Sequence, residues 1–145
     1  MLTLRLERWH RMALYAVLGW LAATGLVWLA AHFVLRVPGE FGETVHPLEP
    51  WSMKLHGAGA MLGLFLIGSL MNGHIRNALK TRRNLTSGWA MILILGVLVA
   101  TGYGLYYLGT ESTRPLWSVC HWIVGLVLPF LFITHIALGR ATVRI

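Results

Sequence analysis

Four of the seven histidines in this 145-residue chain, His56, His74, His121 and His135, stand at spacings that suit metal ligation. At about 100° per residue, the 18-residue step from His56 to His74 returns to one helix face, and the 14-residue step from His121 to His135 misses by about 40°. Each pair therefore falls on one stripe of one helix, near its two ends. Neutral imidazole is a common metal ligand. Zinc usually takes four protein ligands or three plus water, and no cysteine or carboxylate lies on these stripes. Haem iron needs only two axial nitrogens from the protein, and histidine supplies them. Four imidazoles in two phase-matched pairs are hard to explain as isolated hydrogen-bonding groups, because each buried polar group must find a partner.

The elements that position them are membrane helices. Hydrophobic residues make up 57% of the chain and charged residues 12%, against roughly a quarter charged in a soluble domain. Residues 12–35, 55–73, 84–110 and 115–139 contain no Asp, Glu, Lys or Arg. Each run is near or above the roughly 20 residues that cross a hydrocarbon core. The expected fold is all-α, an integral membrane four-helix bundle in a single domain over 1–145, with helices over about 12–35, 53–73, 86–108 and 116–139. Arg5, Arg8 and Arg11 precede the first run, as in a signal peptide. Its apolar stretch exceeds the roughly 7–15 residues of a signal core, which favours a retained signal-anchor helix.

Charge sets the expected orientation. The N-terminus (Arg5, Arg8, Arg11), the middle loop (Arg76, Lys80, Arg82, Arg83) and the C-terminus (Arg140, Arg144) outnumber Arg36, Lys54 and Arg114 in the other two loops. The positive-inside rule then puts both termini in the cytoplasm. The net charge of +7 becomes a collar against anionic headgroups. It does not suggest nucleic acid, since no compact basic domain carries it.

The outer loop over 36–50 contains Pro38, Gly39, Gly42, Pro47 and Pro50 and reads as turns. The loops over 75–87 and 110–114 are short enough to make consecutive helices antiparallel neighbours. Thr24-Gly25 and Thr101-Gly102 give the first and third helices a faint similarity, too slight for a repeat. The single Cys120 excludes an internal disulfide and a covalent c-type haem attachment.

With the second and fourth helices running the same way, His56 lies level with His121 at the outer side and His74 with His135 at the inner side. The two levels are separated by about 27 Å along the second helix and about 21 Å along the fourth. Gly63 and Gly125 leave room near the stripes for a flat macrocycle, although small residues also serve close helix packing. Arg76, Arg82 and Arg83 inside, and Lys54 and Arg114 outside, suit either haem propionates or lipid headgroups. His32 is expected at the outer end of the first helix, solvated or lining a quinone pocket, and His46 in the exposed loop.

The segment His121-Trp-Ile-Val-Gly125 leading to His135-Ile resembles the paired-histidine helix of prokaryotic membrane cytochrome b subunits, such as those of formate dehydrogenase and nickel-iron hydrogenase. Leu55-His56-Gly57, Arg82-Arg83-Asn84, Thr101-Gly102-Tyr103 and Tyr106-Tyr107 are similar to segments of small four-helix di-haem cytochromes b. The resemblance runs from about Leu55 onward. It implies two non-covalent haems b and transmembrane electron transfer. In the formate dehydrogenase type the inner haem takes a ligand from the first helix in an Arg-x-x-His-Trp pattern. The matching stretch here reads Arg8-Trp9-His10-Arg11, so His10 is an alternative to His74 as partner of His135.

The expected function is that of a b-type cytochrome carrying electrons between a quinone pool or membrane partner and a periplasmic c-type cytochrome or dehydrogenase subunit. The alternatives are a quinol-oxidising or quinone-reducing subunit of a larger oxidoreductase, and a haem-handling membrane protein. No nucleophile with a base, phosphate loop or paired intramembrane carboxylate points to catalysis by the chain alone. A homodimer and a larger complex are both compatible with so small a membrane chain.

Overall fold

The computed structural model describes residues 6–40 and 42–141. Arg5 and Arg144, two of the cations that set the expected orientation, lie outside the described residues. In chain order the elements are helix α1 (Arg8–Phe33), strands β1 (Val37–Gly39) and β2 (Gly42–Thr44), helix α2 (Leu48–Leu70), a π turn (Met71–Ile75), helix α3 (Arg76–Thr81), helix α4 (Leu85–Tyr103), a second π turn (Gly104–Leu108) and helix α5 (Arg114–Ala141). Four helical runs, Arg8–Phe33, Leu48–Thr81, Leu85–Leu108 and Arg114–Ala141, are long and apolar enough to cross a membrane. The chain is thus all-α in its main elements and has the makings of a multi-pass membrane protein.

The helices extend past the charge-free runs at several ends. Absence of charge marks what hydrocarbon tolerates, whereas Arg, Lys, Ala and Leu are all good helix formers. Hence α1 already begins at Arg8, and α5 spans Arg114–Ala141. The expected basic loop over 75–87 is mostly helix: Arg76 and Lys80 belong to α3, and the chain turns only at Arg82 and Asn84, both left-handed at φ 52° and 51°. Asn is among the residues best suited to that conformation.

The outer loop is also more regular than its prolines suggest. β1 and β2 pair antiparallel, with Val37 opposite Thr44 and Gly39 opposite Gly42, and Gly42 takes a φ of 117° that a side chain would resist. Pro50 is not in the loop at all but in the first turn of α2, where a helix has no use for its missing N–H. The main-chain N–H of Leu48 instead donates to the His46 ring, and that of Glu49 to the His46 carbonyl.

The chain divides into two compact units, Met1–Met71 and Asn72–Ile145. In the first, α1 packs against α2, with the Trp20 indole N–H donating to the Leu55 carbonyl at 3.0 Å. Gly59 makes the close approach possible. A Cβ on Gly59 would stand 2.6 Å from the Trp20 ring, and one on Gly63 would stand 3.4 Å from Val17. In the second unit α4 packs against α5, where Gly104 accepts the face of Trp117 and Gly125 lies beside Leu98. Among the described residues only Leu14, Ala31 and Leu128 are buried apolar side chains. The remaining apolar surface suits a lipid solvent, in which helix association depends on close packing and hydrogen bonds more than on hydrophobic burial.

Replacing Gly59 with Ala should displace Trp20, break its bond to Leu55 and cost about 1–3 kcal/mol. Gly57→Ala, at an open position, should leave stability nearly unchanged. Thermal unfolding in detergent, followed by tryptophan fluorescence, distinguishes the two variants.

Candidate functional site

Each unit holds one of its histidines by the same local device. In the first, Thr24 in the C-terminal half of α1 faces His56 in the N-terminal half of α2, with Thr24 Oγ1 3.0 Å from His56 Nδ1. In the second, Thr101 near the end of α4 faces His121 near the start of α5, at 2.9 Å from Nδ1. The glycine after each threonine lies against the same imidazole: a Cβ on Gly25 would stand 3.7 Å from His56 Cε1, and one on Gly102 3.4 Å from His121 Cε1.

The direction of these hydrogen bonds follows from the proton count. A threonine hydroxyl has one proton to give. Thr24 points its hydroxyl at the Trp20 carbonyl at 2.8 Å, and Thr101 at the Val97 carbonyl at 2.7 Å. A carbonyl oxygen can only accept, so the hydroxyl proton is committed to the main chain and the hydroxyl oxygen must accept from the imidazole. His56 and His121 therefore carry their proton on Nδ1 and their lone pair on Nε2, the tautomer that presents Nε2 as a metal ligand.

His135 reaches the same state by a longer chain of contacts. The Asn84 amide N–H donates to the His135 carbonyl at 3.1 Å, which turns Asn84 Oδ1 towards Ser87. Ser87 gives its hydroxyl proton to that oxygen and so accepts from His135 Nδ1, at 2.8 Å. Gly88 again lies against the ring, its added Cβ 3.9 Å from His135 Cε1. Both histidines of α5 thus face α4. Ser87 and Thr101 are 14 residues apart on α4, as His121 and His135 are on α5, which registers two antiparallel helices.

His74 lies in the π turn Met71–Ile75. A π turn closes over five residues and winds less per residue than an α-helix, so the uniform 100° step used for the 18-residue spacing from His56 to His74 does not apply at Met71–Ile75. His74 belongs to the second unit, where its ring centre stands 6.2 Å from that of His135 with the planes at 81°. A metal–imidazole bond of about 2 Å plus about 1 Å from ring centre to nitrogen puts two imidazoles on opposite sides of one metal about 6 Å apart, centre to centre. The His74–His135 pair has that separation.

His10 has a different setting. It lies in the first turn of α1, stacked on Trp9, with Nε2 2.9 Å from Ser69 Oγ. Ser69 gives its proton to the Leu66 carbonyl, so His10 donates from Nε2 and bears its lone pair on Nδ1. Gly63 and Gly125, expected beside a macrocycle, face α1 and α4 respectively as packing residues. Lys54 lies over the Trp51 ring, Arg114 donates to the Gly109 carbonyl, and Cys120 is exposed. His32 pairs with Glu49 at 2.8 Å. Among the described residues no three His, Cys, Asp or Glu side chains cluster so as to hold a metal ion by themselves.

Thr24, Thr101, Ser87 and Asn84 are site residues that the histidine spacing did not reveal. Their trace in the sequence is the hydroxyl-glycine pair, Thr24-Gly25, Ser87-Gly88 and Thr101-Gly102, one for each of His56, His135 and His121. No protein-family model, curated protein or solved structure matches this chain.

Nitrogen-15 spectra of histidine-labelled protein should show His56, His121 and His135 protonated on Nδ1. Thr101→Val should release His121 from that state and cost about 1–3 kcal/mol for the donor left buried, whereas Thr101→Ser should retain both.

Proposed function

We propose that this chain is a membrane b-type cytochrome that binds two haems b by bis-histidine ligation and carries electrons across a bacterial inner membrane. The observation that carries this reading is the His74–His135 pair, two nearly perpendicular imidazoles at a separation suited to one metal between them, with His135 set by Ser87 to present Nε2. That donor set suits haem better than zinc, because haem asks for two protein nitrogens where zinc asks for at least three ligands.

The second site, His56 with His121, is inferred from the levels of the two histidines in the sequence. Each unit contributes to it an imidazole with a hydroxyl-fixed tautomer. Haem b, when bound, supplies one-electron chemistry between ferric and ferrous iron. The protein's own part is to hold each imidazole by Nδ1, keep Nε2 basic, and surround the site with apolar side chains, all of which act on the potential. For His135 the work is shared by Ser87 and Asn84, and for His121 it falls to Thr101.

Both termini are proposed to be cytoplasmic, with the four helices assembled as one bundle and Arg76, Lys80, Arg82 and Arg83 on the inner side. A periplasmic c-type cytochrome or dehydrogenase subunit is the proposed partner at the outer side, with the quinone pool as the membrane partner. Family membership with the cytochrome b subunits is part of the same proposal and rests on the resemblance of His121-Trp-Ile-Val-Gly125, His135 and their neighbours. His74 is preferred to His10 as the inner ligand, because His74 stands beside His135 while His10 gives its Nε2 proton to Ser69.

The purified protein should give a b-type reduced-minus-oxidised spectrum and two haems per chain by pyridine haemochrome. His74→Ala should lower that count to one, and His10→Ala should leave it at two. Absence of any haem signal from protein made with ample haem would overturn the proposal.

A further inference from the structure

Trp117 stands one turn before His121 on α5, and Gly104 opens the second π turn, three residues after Thr101. A Cβ on Gly104 would lie 2.6 Å from Trp117 Cε3, 2.8 Å from Cζ3 and 2.9 Å from Cδ2. Near-equal distances to three consecutive ring atoms mean that the backbone of Gly104 meets the flat face of the indole. All three fall well inside the about 3.5–4.0 Å at which carbon atoms rest against one another, so no side chain fits beneath this ring. Trp9, Trp51 and Trp89 are exposed, as tryptophans that anchor a helix at a membrane surface are. Trp117 is half-buried and turns its ring onto protein instead.

That seat matters because the bond between Thr101 and His121 is one contact at one level, and one contact leaves a helix free to turn about its own axis. Turning α5 by about 10° carries a side-chain atom about 5–6 Å from the axis through about 1 Å. A bond of 2.9 Å would then be out of reach. The anchor at the inner end, Ser87 with His135, does not fix the rotation of the outer turns. Pro129 stands between the two histidines, has no N–H for the Gly125 carbonyl, and interrupts the main-chain ladder that would transmit it. Gly125 beside Leu98, at 3.8 Å, is an ordinary contact. Arg114 ties the start of α5 to the Thr110 and Gly109 carbonyls, which sets the height of the helix more than its rotation. A flat ring laid on a backbone without a Cβ does set rotation, since the indole reaches Gly104 over only a narrow arc.

We propose that Trp117 is a positioning residue for His121: by seating its indole on Gly104 it sets the rotation of the outer part of α5 that brings His121 Nδ1 to Thr101. His121 owes its Nε2-presenting form to that rotation as well as to the threonine. The positioning is independent of any cofactor, whereas its consequence for ligation rests on the electron-transfer reading.

The test uses full-length protein in lipid nanodiscs, labelled with nitrogen-15 at histidine and free of haem. Wild type should show His121 protonated on Nδ1. Trp117→Ala should release it into a mixture of tautomers and leave His135 unchanged. Gly104→Ala, which keeps the indole and fills its seat, should act in the same direction, while Trp117→Phe, which keeps a flat face for Gly104, should retain the wild-type state. Helix content and thermal midpoint identify a variant that fails to fold; Trp117→Leu, apolar but without a flat face, then takes the place of Trp117→Ala. In haem-loaded protein Trp117→Ala should make one haem per chain reactive to carbon monoxide, since a haem that loses an axial histidine gains an open position. An unchanged His121 in the folded Ala or Leu variant overturns the proposal, and so does an equal disturbance of His121 and His135, which would mean general loosening. Release of His121 alone, in a protein whose wild type takes up no haem, would uphold the positioning role and sink the electron-transfer reading.

Discussion

A single hydroxyl proton governs the chemistry available to this chain. On a membrane helix, a threonine or serine that turns its proton back to the main chain keeps a lone pair facing the neighbouring helix. An imidazole placed there has one way to satisfy its Nδ1, by donating. Thr24 and Thr101 impose this on His56 and His121, and Ser87, relayed by Asn84, imposes it on His135. The same contact ties each helix to its partner at a fixed level. Packing register and imidazole tautomer are therefore one constraint, and the glycine after each hydroxyl residue lies against the imidazole edge.

The two units use this constraint in parallel and differ in one respect. His10 and Thr24 are 14 residues apart on α1, as Ser87 and Thr101 are on α4. At the far end of each hairpin an imidazole again meets a serine, but the partners are exchanged: the histidine is on the first helix of one hairpin, as His10, and on the second helix of the other, as His135. The exchange also reverses the tautomer. Because Ser69 meets Nε2 of His10 while Ser87 meets Nδ1 of His135, the two histidines present opposite nitrogens. Likeness of hairpins thus does not make their histidines equivalent.

Much of this was legible in the sequence, and what was not has physical causes. The four spans follow from charge-free length, which the hydrocarbon core enforces directly. The common face of His121 and His135 follows from helical period, since α5 stays α-helical between them despite Pro129. His74 escaped the same rule because the π turn at Met71–Ile75 changes the winding, and a five-residue turn around Asn72-Gly73 leaves no periodic mark. Helix ends were misplaced wherever charged residues, such as Arg76 and Lys80, continue the helix beyond its apolar part. The hydroxyl partners were hidden because they lie across a helix pair, 20 residues from their histidine for Thr101 and 32 for Thr24. Glycine, by contrast, was ambiguous in sequence and has two settings in the structure: Gly59 admits a neighbouring helix, with Gly63 against the same helix, and Gly25 and Gly102 lie beside an imidazole.

Asn84 joins two tasks in one residue. Its backbone, at φ 51°, reverses the chain between α3 and α4, and its amide holds the carbonyl of His135 while orienting Ser87. Until that reversal forms, the amide has no fixed direction, and until α5 has come back alongside α4 there is no carbonyl for it to hold. The turn and the docking of α5 on α4 are consequently coupled: His135 has its Nδ1 partner only where α5 lies alongside α4, with Asn84 holding both ends of the contact.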